Sequence, residues 1–274
     1  MIANYTDICY TEKKKDVNEY MKRIESTQNA LVKHWKKLVT SKKDRDKSEE
    51  FIVEGFHLVE EALKSQGTIL HLIVKEDIEI PEGWNTENIQ MIEVTKAVAK
   101  ELVETEQSQG IFAHCRQPEY SEGLSDNWKK YLFIDAVQDP GNIGTMIRTA
   151  DAAGIDAVIL GKGCADPYNP KTVRSAQGSH FHIPVIKGEL GDWIAKIKTA
   201  DIKIIGTGLE NAVNHYHVGP LKEFALIVGN EGSGVAAEYL STADEVVKIP
   251  LYGSAESLNV AIAAGILLYT FGQQ

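Results

Sequence analysis

Cysteine is scarce in this chain: there are three in 274 residues, Cys9, Cys115 and Cys164, far apart and in no CxxC pair. That spacing excludes a disulfide framework and a thiolate zinc centre, so no metal site is expected. Long apolar runs are lacking too. The longest, near residues 258–271, is interrupted by Asn259 and falls short of the ~20 apolar residues that span a bilayer. The opening MIANYTDICYTEKKK has no apolar stretch behind a basic one and does not read as a secretory signal. A cytoplasmic protein with no membrane association is expected. An excess of positive charge is also missing: the formal net charge is −10, which argues against nonspecific coating of nucleic acid, where Lys and Arg displace counterions. Neither nucleotide fingerprint is complete. LIVGNEGSGV, residues 226–235, spaces its glycines G-x-x-G-x-G and lacks the Gly-Lys-Ser/Thr ending of a P-loop, and GTGLE, residues 206–210, has two glycines but no third. A conventional nicotinamide- or ATP-dependent enzyme is thereby disfavoured.

What is present is 43% hydrophobic residues over a length that suits two domains. The charge is unevenly placed. Residues 13–47 hold twelve Lys or Arg against five Asp or Glu, a local +7, which reads either as a solvated helix or as a basic surface that meets a polyanion. Val17, Tyr20, Ile24, Leu31, Trp35 and Leu38 recur at near-helical spacing and predict a helix over 13–40. FIVEG, ILHLIVK, IQMIEV and GIFAHC read as strands and 56–65 and 95–105 as helices, a small α/β unit. The turn-rich PEYSEGLSDN, 118–127, reads as a linker. From residue 131, YLFIDAV, AVILG, HIPVIK, KIIGTG, FALIVGN and EVVKIPL are continuously apolar and separated by helix-length segments. Such strands are covered on both faces, as in a doubly wound parallel sheet, whose ligands bind beyond the carboxyl ends of the strands.

Three loops carry unusual polar content. QDPGNIGTMIRTADAAG, 138–154, offers Asp139 to Asn142 as a capping turn, with Asn142 a candidate cap, and puts Arg148 in the early turns of the next helix, suited to an anionic substrate. LIVGNEGSGV brings Gly229, Gly232 and Gly234, which let a ligand approach backbone closely. In IPLYGSAESLNVAIAAGILLY, 249–269, Ser254 as N-cap and Glu256 in the first turn fit ordinary helix chemistry. Ser257 and Asn259 do not, and an amide among Leu258, Val260, Ile262 and Ala263 needs partners, internal or from a ligand.

Together these loops resemble the three motifs of the SpoU (TrmH-like) family of RNA ribose 2′-O-methyltransferases, within the SPOUT superfamily. They occur in order: NIGTMIR with Asn142, Gly144 and Arg148; IVGNEGSG with Gly229 and Glu231; IPLYGSAESLNVAIAAG with Ser257 and Asn259. EEFIVEGFHLVEEAL and QSQGIFA more weakly resemble the family's N-terminal substrate-binding domain, related in fold to ribosomal protein L30e. The resemblance implies an N-terminal extension over 1–24, an L30e-like α/β domain over 25–117, a linker over 118–128 and a catalytic domain over 129–274. In the last, a parallel sheet is tied in a deep trefoil knot, an exception to the rule against threaded chains. It also implies a homodimer through the catalytic domain and S-adenosylmethionine as methyl donor, contacted at Thr207, Gly208, Gly229, Ile249, Leu251 and Leu258.

The resemblance assigns Arg148 to the ribose hydroxyl and an adjacent phosphate, Asn142 to orienting Arg148 or the ribose, and Glu231, Ser257 and Asn259 to holding the site together. Since arginine stays protonated, it acts more readily by lowering the hydroxyl pKa than as a base. The RNA is expected to be 23S ribosomal RNA, with transfer RNA or a non-catalytic RNA-binding role as alternatives. Phosphate contacts are expected from Lys36, Lys37, Lys42 and Lys43 in the basic segment.

Overall fold

The computed structural model describes residues 21–65, 68–103, 108–120, 125 and 127–272. Cys9, residues 13–20 of the expected first helix and residues 121–124 and 126 of the expected linker lie outside them. The amino-terminal unit runs β1 (Lys22–Ile24), α1 (Ala30–Thr40), α2 (Lys42–Ser48), β2 (Glu50–Glu54), α3 (Phe56–Lys64), β3 (Ile69–Lys75), β4 (Gln90–Val94), α4 (Lys96–Lys100) and β5 (Ile111–Arg116). Its five strands form a mixed sheet in the order β1-β4-β3-β5-β2. β5 is antiparallel to both β2 and β3.

Two sequence expectations change here. Within the described part of the helix expected over 13–40, residues 21–40, helix is present only from Ala30, where the Asn29 side chain accepts from Leu31 N at 2.9 Å. Ile24 is a strand residue, paired with Val94. The periodicity across 17–24 was helical by count, but sheet pairing with β4 overrides it. The sheet therefore begins inside the stretch expected to precede the domain. The helix expected over 95–105 is the single turn α4, capped by the Thr95 hydroxyl, with 104–105 outside the described residues. The polar TSKKDRDKSEE holds α2, whose first turn is capped by Ser41 accepting from Asp44 N.

The second unit runs β6 (Lys130–Asp135), α5 (Pro140–Ala152), β7 (Ala157–Leu160), α6 (Pro170–Ala176), β8 (Val185–Lys187), α7 (Leu190–Thr199), β9 (Lys203–Thr207), β10 (Val213–Asn214), β11 (Phe224–Gly229), α8 (Ala237–Leu240), β12 (Glu245–Lys248) and α9 (Val260–Phe271). Its seven strands are parallel throughout, in the order β10-β12-β9-β11-β6-β7-β8. Both faces are covered, as the continuous apolar runs predicted. Leu132, Ile134, Leu226 and Val228 face α5 and α9, while Tyr131, Phe133, Ala225 and Ile227 face α7 and α8. No helix of the described residues is long and apolar enough to cross a membrane.

The two units share a core. Phe51, Val53, Leu58 and Val59 pack with Tyr168, Val173 and Phe181, and the Phe51 and Tyr168 rings lie 4.8 Å apart. Beside this seam Arg45, 2% exposed, donates from Nε to Asp166 Oδ2 at 2.7 Å and from Nη1 to the carbonyls of Leu38 and Val39 at 2.6 and 3.1 Å. Asp46 pairs with Lys187 at 2.6 Å. His182 bridges Asp151 of α5 at 2.7 Å and Glu61 of α3 at 2.8 Å.

Candidate active site

The first motif sits on α5. Asp139 is its cap, accepting from Asn142 N at 2.8 Å with Pro140 opening the helix, an arrangement in which proline loses no needed donor. Asn142 is thus not the cap but a residue of the first turn, its side chain free to point away. Ile143, Met146, Ile147 and Ala150 bury one face, and Asn142, Thr145 and Arg148 follow at i, i+3 and i+6 on another. Gly144 serves packing: a Cβ there would lie 2.4 Å from Thr172 O of α6. Arg148 is exposed and has no ion-pair partner among the described residues.

The second motif is the loop after β11. Asn230 folds it: its Oδ1 accepts from Gly232 N and Ser233 N at 2.8 and 3.3 Å, its Nδ2 donates to Ala136 O at 3.0 Å, and its carbonyl takes Gly234 N at 2.8 Å. Gly229 is required because a Cβ would sit 2.2 Å from Gly234 C and Val235 N, where the loop returns across the strand end. Gly234 holds φ +71°, the left-handed region glycine reaches without strain. Glu231 stands at the tip.

The third motif differs from expectation. Residues 249–259 form no helix, 251–259 are exposed, and Ser254 and Glu256 cap no helix. The cap of α9 is Asn259, whose Oδ1 accepts from Ala261 N at 3.0 Å and Ile262 N at 3.3 Å. Its amide is exposed rather than buried among apolar neighbours, and the sequence could be parsed either way because asparagine is as good a cap as serine.

One chain of hydrogen bonds joins all three motifs. Asn259 Nδ2 donates to Asn142 Oδ1 at 3.0 Å, and Asn142 Nδ2 donates to Glu231 Oε1 at 2.5 Å. An ionised carboxylate only accepts, so it fixes which end of the Asn142 amide faces it. The other end must then accept from Asn259, whose own oxygen is committed to α9. The order of donors is therefore set from one end to the other.

Beside this chain opens a cavity of about 470 Å³ at the carboxyl ends of β9, β11 and β12, within the range of small-ligand sites. Thr207, Gly208, Gly229, Ile249, Leu251 and Leu258, the six expected contact positions, all line it, with Glu231 and Ser257. The Thr207 hydroxyl donates inward to Ile227 O at 3.1 Å, which leaves its backbone to face a ligand. Sequence reasoning missed Leu240 of α8, Asn230 and the carboxylates of Glu210 and Glu256 on the same wall. Glu210 stands in the quoted GTGLE and could have been flagged as an acid just past a strand end; Leu240 carries no local signal.

Of the four lysines expected to meet RNA, Lys36 is turned to Glu101 at 2.5 Å. Lys42 and Lys43 are exposed on the first turn of α2, and Lys37 borders a cleft between α1 and α2.

A doubly covered parallel sheet with a loop-built pocket at its carboxyl edge is the architecture of an α/β enzyme that binds a small cofactor. Residues 129–269 match the SpoU rRNA Methylase family and residues 29–113 the MRM3-like substrate binding domain. The chain belongs to the SpoU rRNA methylase family. It is 51% identical over 249 residues, 91% of this chain and 98% of the other, to the 23S rRNA (guanosine(2553)-2′-O)-methyltransferase RlmP of Bacillus subtilis. The AdoMet-bound rRNA methyltransferase of Sinorhizobium meliloti superposes with a TM-score of 0.81 at 32% identity, covering 92% of this chain and 97% of that one. The AdoMet complex of the SpoU methyltransferase AviRb of Streptomyces viridochromogenes gives 0.78 at 27% identity, covering 89% and 97%.

Proposed function

We propose that the protein methylates a ribose 2′-hydroxyl of 23S ribosomal RNA, using S-adenosylmethionine, at the guanosine that corresponds to position 2553 of the B. subtilis RNA. The observation that carries this reading is the hydrogen-bond chain Asn259–Asn142–Glu231, which gathers three distant motifs beside the cofactor-sized cavity, with Arg148 further along the same helix as Asn142. The cavity suits the donor. Leu251, Leu258, Ile249 and Leu240 offer apolar walls for a base, the glycine-rich backbone offers amides, and Glu210, Glu231 and Glu256 offer anionic groups for a ligand carrying positive charge. When bound, S-adenosylmethionine supplies an electrophilic methyl on a sulfonium sulfur. The new bond is O–CH₃, the broken one S–CH₃, and the hydroxyl proton must leave.

The residues of the chain supply position and charge. Arg148 remains cationic and lowers the hydroxyl pKa while holding the neighbouring phosphate, to which or to solvent the proton passes. Asn142, anchored at both ends of its amide, ties the first turn of α5, the helix that bears Arg148, to the loops of the other two motifs. Ser257 and Leu258 close the wall over the donor. The reading includes a trefoil knot, which is supported by β12 lying between β9 and β10 and by Ile249, Leu251 and Leu258 lining one cavity with the loops after β9 and β11. It also includes a cytoplasmic homodimer through α9. Ile262, Ile266 and Tyr269 leave a row of apolar side chains exposed on one face of that helix, 56%, 37% and 54% exposed, a stripe that a second copy would cover.

The test is a map of ribose methylations in 23S RNA from cells with and without this gene, repeated with the gene encoding Arg148→Ala. One guanosine methylation disappears in the deletion and is not restored by the variant. Loss of a transfer RNA methylation instead, or full restoration by Arg148→Ala, overturns the respective assignment.

A further inference from the structure

α1 and α2 diverge from Ser41 and leave a cleft of about 420 Å³ between them, lined by Lys33, His34, Lys37, Asp44, Lys47 and Ser48. Three ammonium groups surround it; among the described residues none is within ion-pair distance of a carboxylate, and the single acid of the lining, Asp44, is held below the usual carboxylate range by the Ser41 hydroxyl and by the charges of Lys37 and Lys47. Elsewhere in the same unit several cations are paired, Arg23 with Glu76, Lys36 with Glu101, Lys64 with Glu61 and Lys75 with Asp77, though others such as Lys42, Lys43 and Lys100 stand singly on the surface rather than together around a cleft. Lys33 and Lys37 stand at i and i+4, where like charges weaken a helix by a few tenths of a kcal/mol. The acids nearby are engaged. Asp44 accepts from the Ser41 hydroxyl, and Glu50, behind His34, has its carboxylate 2.5 Å from His34 Nε2 and 3.0 Å from His114 Nε2. Three cations against one carboxylate leave the open cleft with a net positive charge, which suits a polyanion.

The cleft is also fixed relative to the catalytic unit. On α2, Arg45 and Asp46 point the other way, to Asp166 and Lys187, so the residues between which the cleft opens cannot swing freely against the pocket.

We propose that this cleft is a backbone subsite for the RNA substrate, with Lys33, Lys37 and Lys47 contacting phosphates and thereby setting the reach from the bound RNA to the methyl-transfer pocket. The inference rests on the reading of the substrate as RNA. It shifts the basic contact surface from the Lys36, Lys42 and Lys43 positions to residues that face one another across the cleft.

The probe is an end-labelled transcript of the 23S segment containing the guanosine that corresponds to position 2553, titrated by fluorescence anisotropy between 50 and 200 mM KCl, salt levels at which counterion release is read out. The variant Lys33→Gln/Lys37→Gln/Lys47→Gln is compared with wild type and with Lys100→Gln/Lys198→Gln/Lys222→Gln, which removes the same charge elsewhere. Three lost phosphate contacts lower the slope of log K against log salt by about 2 and weaken binding roughly 10²-fold at 0.1 M salt. S-adenosylmethionine affinity and melting temperature stay at the wild-type values. A cleft variant whose slope and affinity match the remote control overturns the subsite while leaving the RNA reading intact. Wild-type protein that fails to bind the transcript overturns the RNA reading and the subsite together.

Discussion

Replacing Arg45 by methionine, which keeps much of the volume and removes the charge, tests how firmly the two units are joined. In the wild type Asp166 holds two hydrogen bonds on its carboxylate, from Arg45 Nε at 2.7 Å and from Tyr168 N at 3.0 Å. The two side chains are 2% and 4% exposed, so neither can turn to solvent when its partner is lost. In Arg45→Met the carboxylate keeps only the Tyr168 amide, and a buried charge left this way costs about 3–5 kcal/mol. Protonation sets a ceiling: neutralising a carboxyl about three pH units above its ordinary pKa costs about 4 kcal/mol at pH 7, at ~1.4 kcal/mol per unit. The expected loss is therefore about 3–4 kcal/mol, a fall in melting temperature on the order of 10 °C. It should shrink as the pH is lowered towards 4. Urea unfolding followed by far-UV circular dichroism measures it. The double variant Arg45→Met/Asp166→Leu should recover most of the loss and retain a deficit of about 1–2 kcal/mol from the Leu38 and Val39 carbonyls that lose their donor. A single variant within 1 kcal/mol of wild type, or a double variant no better than the single, would falsify the claim that an unpaired buried carboxylate is what matters.

Asn142→Ala breaks both links of the motif chain without touching the cavity wall; a charge-assisted bond contributes about 1.5–3 kcal/mol, so single-turnover methyl transfer should slow by roughly 10- to 100-fold with S-adenosylmethionine affinity unchanged in calorimetry. Gly229→Ala forces a Cβ to within 2.2 Å of the Gly234 and Val235 backbone, and calorimetry should detect no S-adenosylmethionine binding while the amino-terminal unit stays folded. For His182, burial alone would lower the pKa, but the carboxylates of Asp151 and Glu61 outweigh it and hold the imidazole above its ordinary value. Its contribution is thus complete below the unfolded pKa and fades as the pH rises through the folded one. Melting curves of wild type and His182→Gln should differ most below the ordinary imidazole pKa of about 6.5 and converge as the pH becomes alkaline; a difference that grows with pH contradicts the bridge. Ile266→Asp places a charge in the exposed α9 stripe, and sedimentation should show a monomer where the wild type is a dimer; equal masses for both would refute that face as the interface.

Most strands of both units were legible because their apolar runs are longer than any turn and bounded by Gly, Pro and Asp; β1, three residues with only Ile24 buried, was not. Six of the seven strands of the parallel sheet could be read for the same reason: burial on both faces leaves no alternation to misread, whereas β10, two partly exposed residues at the sheet edge, carries no apolar run. Helix starts were harder. The stretch around Ile24 follows a helical count yet pairs with β4, and Ser254 looks like a cap until the segment 249–259 is seen lying along the cavity, with Asn259 taking the cap instead. The site divides in the same way. Motif positions were visible as polar residues in apolar surroundings, whereas the bonds linking Asn142 to Glu231 and Asn259 join residues 89 and 117 positions apart, beyond any local pattern. Charge counting located the basic segment but could not separate Arg45, which is buried, from Lys33, Lys37 and Lys47, which open to solvent.

The seam in which Phe51 meets Tyr168 and Phe181 has a practical meaning for protein engineering. A chimaera cut at the turn-rich stretch near residue 118 would sever the chain at its weakest composition but not at a natural joint, because residues 166–181 of the catalytic unit complete the core of the other. A graft designed to redirect the enzyme to a new RNA must carry that hairpin of sequence along with the substrate domain, or redesign both sides of the seam at once.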